Sequence, residues 1–152
     1  MRNLSEVKTR LKDAQASLST AQRSFPVEDH RAVIQNAQLC IELSAKAVIA
    51  YYEEPAWTHD PSEELLKILE ERGEEIAEML GNEVESLYTL AEDAGVAAPW
   101  HARSTYGARS KDGVWLPAVD VCTKEMAEDL LERASRSYKT AVRFSRHLGL
   151  DR

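Results

Sequence analysis

The chain has 152 residues, 43% apolar and 30% charged, with a formal net charge of −7 at pH 7. That length suits one domain, taken here as residues 1–152, with a buried core. The acidic balance excludes a protein-wide basic surface of the kind nucleic-acid domains usually carry, though not a local basic patch.

The N-terminus, MRNLSEVKTR, lacks the apolar core of a signal peptide, and no apolar run is long enough to span a bilayer. A soluble, cytoplasmic protein with no membrane partner is therefore expected. Few glycines and prolines and many Ala, Leu and Glu favour helix throughout. Cys40 and Cys122 lie in apolar surroundings and are expected as buried free thiols.

From the start, Leu4, Val7, Leu11, Ala14, Leu18, Ala21 and Phe25 alternate by three and four, which puts them on one helical face. Pro26 ends that helix and can open the next. A second helix over about Val27 to Tyr52 is apolar nearly all round, the mark of an element in the middle of a bundle. A third is expected to start with Asp60 as N-cap and Pro61 as first helical residue, and to turn Leu65, Leu69, Ile76 and Leu80 inward. Gly81 suits its end, and Asn82 with Glu85 suits a capping pair for a shorter fourth helix running to Gly95.

Val96 to Val121 has two prolines, two glycines and no helical period, which predicts a long loop. The last helix, about Thr123 to Leu148, is expected to bury Ala127, Leu131, Ala134, Tyr138, Ala141 and Leu148 before Gly149 closes it. No strand or repeat stands out. The expected fold is all-α: an up-and-down bundle of about five helices with one long loop before the last.

Charge is unevenly spread. Between Glu53 and Asp93 there are fourteen acids against Lys67 and Arg72. The last helix reverses this, with Arg133, Arg136, Lys139, Arg143 and Arg146 on one face. That stripe fits two roles: a solvated face pairing loosely with acids of a neighbouring helix, or one wall of an anion site. The predicted loop supplies the other wall, since WHARSTYGARSKDG (100–113) holds Arg103, Arg109 and Lys111 and no acid before Asp112.

The second helix reads AVIQNAQLCIELSAKAVIAYY and is followed by THDPSEELLKIL. Ala37, Glu42, Lys46, Ala47, Thr58, His59, Asp60 and Leu65 together resemble the HEPN domain family. So do the segment Ala102-Arg103-Ser104-Thr105-Tyr106-Gly107 and the final helix start Thr123-Lys124-Glu125-Met126-Ala127. The resemblance implies a helical homodimer that binds RNA or nucleotide, often paired as toxin and antitoxin with a small nucleotidyltransferase. Active members resemble metal-independent endoribonucleases that use an Arg, four to six residues and a His at the dimer cleft. In such a site His moves the proton of the attacking 2′-hydroxyl and Arg stabilises charge on the phosphate.

Counted from Arg103, that motif needs a His at 108, 109 or 110, where the chain has Ala108, Arg109 and Ser110. Arg23 and His30 satisfy the spacing, but between the first two helices. Three functions stay open. The first is a non-cutting module that binds RNA or nucleotide through Arg103, Tyr106, Arg109, Lys111, Arg136 and Arg143, or binds a nucleotidyltransferase. The second is a ribonuclease using Arg103 with His101 or His59. The third is a protein-interaction module presenting Trp100, Tyr106 and Trp115. Taken alone, Glu42 and Lys46 are an ordinary i, i+4 helix pair, and His59 beside Asp60 suits packing or capping. No HExxH, CxxC or glycine-rich phosphate loop occurs, so no metal and no cofactor is expected.

Overall fold

A computed structural model describes residues 3–150. Five bundle helices account for most of it. Helix α1 (Leu4–Ser24) is capped by Asn3, whose side chain accepts from the Glu6 amide. A turn follows in which Glu28 takes the left-handed conformation at φ 61°. The second helix, α2 (His30–Tyr52), begins three residues later than the apolar pattern suggests, because Asp29 caps it through the Ala32 amide.

Helix α2 is the hub, packing on α1, α3, α5, α6 and α8. Its apolar sides explain this: Val33, Ile34, Ala37, Cys40, Ile41, Ala45, Val48 and Ile49 are all buried in one core. Burial disfavours the thiolate and pushes the Cys40 thiol up to about 12. Both cysteines are free and buried.

The third bundle helix is broken at Arg72 into α3 (Ser62–Glu71) and α4 (Gly73–Leu80). Gly73 is a weak helix former, and Arg72 leaves helical geometry at φ −115°, ψ 25°. Asp60 is not the cap that was expected: Pro61 holds the N-cap position without a side-chain bond and the helix starts at Ser62, while Asp60 accepts from both the amide and the hydroxyl of Ser62. Gly81 ends α4 with φ 59°. The expected Asn82–Glu85 capping pair does not form; a 3-10 turn over Gly81–Glu83 leads into α5 (Val84–Ala97) without a side-chain cap.

The stretch read as a loop is ordered structure. It contains α6 (Trp100–Tyr106), a two-residue antiparallel ladder of β1 (Ala108–Arg109) with β2 (Trp115–Leu116), and α7 (Ala118–Val121). Each piece is too short to show a period.

Helix α8 (Lys124–His147) is capped by Thr123 and closed by Gly149 at φ 83°, with the Leu150 amide bonded back to the Ser145 carbonyl. Its buried face runs through Ala127, Leu130, Ala134, Ser137, Ala141 and Phe144. Leu131, Tyr138 and Leu148 pack only partly at its edge. No helix among the described residues is long and apolar enough to cross a membrane.

Candidate functional site

Helix α6 and its hairpin stand on α2. The last carbonyls of a helix lack intrahelical partners, and here side chains of α2 supply them. Arg31 Nε donates to the Ser104 carbonyl at 2.6 Å, Arg31 Nη2 to the Thr105 carbonyl at 3.0 Å, and Gln35 Nε2 to Ser104 at 3.2 Å. Gly107 then turns the chain at φ 88°, where a Cβ would overlap the Leu116 carbonyl oxygen. The Trp115 indole donates to the Tyr106 carbonyl at 2.9 Å and ties hairpin to helix.

Two guanidinium–indole stacks form on this frame. Arg103 lies over Trp100 at 5.4 Å and Arg109 over Trp115 at 5.3 Å. Arg109 also donates to the Gly113 carbonyl, which fixes its aim. Tyr106 is 71% exposed and Trp115 56%. Arg103 and Tyr106 are three apart on α6 and share a face. Lys111 is exposed in the hairpin turn. Four of the expected binding residues, Arg103, Tyr106, Arg109 and Lys111, thus belong to one α6–hairpin unit.

Arg136 and Arg143 are elsewhere, on α8, which packs on α1, α2 and α5. Arg136 is engaged by a buried acid: its Nε and Nη2 donate to the two carboxylate oxygens of Asp93 at 2.8 and 2.6 Å, and Arg133 adds a bond at 2.8 Å. These bonds raise the pKa of Arg136; for Arg133, burial pulls the other way and is outweighed by its bonds to Asp129 and Asp93. Nothing in the sequence sets Asp93 apart from the acids that precede it. Arg143 is exposed further along α8.

His101 and His59 meet each other instead. Their rings stack with centroids 3.5 Å apart and planes 19° from parallel. His59 Nδ1 is 3.2 Å from Glu42 Oε1, Lys46 Nζ is 3.0 Å from Glu42 Oε2, and Gln38 Nε2 donates to Oε1 at 3.0 Å. Glu42 and Lys46 are both buried. Burial would lift the Glu42 carboxyl, but hydrogen bonds from Gln38, Lys46 and His59 and the charge of Lys46 outweigh it and hold the pKa below the usual value.

The sequence carries one trace of this cluster that becomes legible only with the fold. Gln38, Glu42 and Lys46 form an i, i+4, i+8 polar row on a largely apolar helix. His101, two positions before Arg103, lies roughly 200° around α6 from it. Arg103 and His101 therefore occupy opposite sides of the helix.

A family model for the HEPN domain matches residues 7–145. No curated protein and no solved structure matches the chain.

Proposed function

The chain belongs to the HEPN domain family, and from that premise we propose that it binds single-stranded RNA or a nucleotide on the α6–hairpin surface without cutting it through the family's Arg-x4-6-His motif. The observation that carries this is the pair of Arg–Trp stacks, Arg103 on Trp100 and Arg109 on Trp115, beside the exposed Tyr106. Unpaired bases stack on aromatic rings and guanidinium planes, while Arg and Lys hold the phosphates. The absent histidine at 108–110 separates binding from cleavage. Cleavage by Arg103 with His101 is the weaker alternative, since the two face apart on α6.

The proposal includes the family's assembly, a homodimer with a small nucleotidyltransferase as toxin–antitoxin partner. Light scattering after size exclusion, with and without that partner, tests this part.

The binding site is tested by fluorescence anisotropy with a labelled single-stranded RNA and with ATP as competitor. Stacking is worth about 1–3 kcal/mol per base, so Trp115→Ala and Arg109→Ala should each weaken RNA binding about five-fold or more. Full affinity in the double variant, or no binding by the parent protein, overturns the proposal. Intact RNA after long incubation is expected; cleavage lost in His101→Ala would restore the enzymatic alternative.

A further inference from the structure

The stacked histidines and the carboxylate behind them have a use that RNA binding on the α6–hairpin surface leaves aside. We propose that Glu42, His59 and His101 form a binding site for one divalent transition ion of the zinc class.

The geometry is the first argument. The ligand atoms of the three residues all lie within 4.8 Å of one another. Zinc takes His nitrogen and carboxylate oxygen at about 2.0–2.1 Å, and two such ligands at a tetrahedral angle stand about 3.3 Å apart. His59 Nδ1 and Glu42 Oε1 are separated by 3.2 Å, and the two imidazoles are stacked neighbours with ring centroids 3.5 Å apart. The nearly parallel rings must turn about χ2 for both lone pairs to converge on one ion. Both side chains are exposed, His59 at 59%, which leaves space for that turn.

Rigid elements hold the set, which is the second argument. Glu42 sits in the middle of α2, with Gln38 on the oxygen that would ligate and Lys46 on the other. His59 is presented by a short loop in which Thr58 Oγ1 accepts from the Asp60 amide and Asp60 Oδ1 accepts from the Ser62 amide. His101 is in the first turn of α6. Outer partners that orient a ligating carboxylate are a regular part of metal sites.

Chemistry selects the ion. Lys46 occupies Oε2, so Glu42 can ligate through Oε1 alone, and the ammonium offsets its charge. Two neutral imidazoles and one carboxylate oxygen suit zinc, cobalt or nickel and are poor ligands for magnesium or calcium. Three protein ligands leave a fourth position for water or an anion. His59 also lines a pocket of about 360 Å³ with Lys46, Arg10, Thr58 and the fully exposed Trp57.

Isothermal titration of the chelator-stripped protein with ZnCl2, and separately with MgCl2, tests the proposal. One zinc per chain is expected, with magnesium at least 100-fold weaker. His59→Ala and His101→Ala should each weaken zinc at least ten-fold while circular dichroism stays unchanged, and His30→Ala should have no effect. Titration with CoCl2 should give the visible bands of a tetrahedral ion, lost in the same two variants. Absence of zinc binding, affinity unchanged in both His variants, or magnesium bound as tightly as zinc overturns it. RNA binding through Arg109 and Trp115 is read separately, so either proposal can fail while the other stands.

Discussion

Asp93 is fully buried and receives three hydrogen bonds from two arginines. A carboxylate in that position is tolerated only while it is paired. Either arginine alone still supplies a charge-assisted bond, but removing both strands the carboxylate. Arg133→Ala and Arg136→Ala are therefore expected to cost more together than the sum of the single changes. The coupling should be about 1 kcal/mol or more, read from urea unfolding of the parent, both single variants and the double. Simple additivity would mean that water reaches Asp93. Glu42 obeys related logic with an explicit pH sign. Its pKa is lowered by folding, so its contribution is present above the unfolded value of about 4.3 and is lost as pH falls through the folded value. Glu42→Gln should flatten the acid limb of stability below about pH 5 relative to the parent, as read by thermal melts across pH. An unchanged acid limb would contradict the assigned bonds. Neither role was legible residue by residue. The i, i+4 spacing of Glu42 and Lys46 was plain in the sequence, but their burial is set by the helices packed around α2. Asp93 looks like any of its acidic neighbours until α8 brings two arginines to it.

Among the elements, the long helices could be read directly, because α1 and α8 repeat an apolar stripe, and α2 is apolar nearly all round, over five turns or more. The stretch from Val96 to Val121 could not. Helix α6 has seven residues, and its last carbonyls are held by Arg31 and Gln35, more than sixty positions upstream. No local pattern reports bonds of that kind. One local signal was present in Gly107, though it became legible only with the fold. At φ 88°, with the Leu116 carbonyl against the space a Cβ would take, only glycine fits. Gly107→Ala should therefore separate the hairpin from α6, breaking the Trp115–Tyr106 bond and displacing Arg109. The expected result is a loss of about 1–3 kcal/mol in stability, together with weakened RNA binding and little change in helical circular dichroism. Normal stability and normal binding in this variant would show that the hairpin does not depend on that turn.

On the scale of the whole molecule, the acidic charge and the basic segment act against each other. A net charge of −7 with fourteen acids between Glu53 and Asp93 repels RNA at long range. Binding must then come from a few directed contacts, and salt dependence counts them. For single strands the slope of log K against log salt is about −0.7 per phosphate neutralised. Arg103, Arg109 and Lys111 acting alone predict a slope of about −2. Participation by Lys139, Arg143 and Arg146 on α8 would steepen it towards about −4. Arg133 and Arg136 should add nothing while Asp93 holds them. The decisive comparison is the slope of the parent protein against Arg109→Ala and Arg143→Ala, by anisotropy between low and physiological salt. A drop of about 0.7 in the Arg109 variant alone keeps the ligand on the α6–hairpin unit. An equal drop in the Arg143 variant extends the surface to α8, and a flat slope in the parent removes phosphate contacts from the proposal altogether.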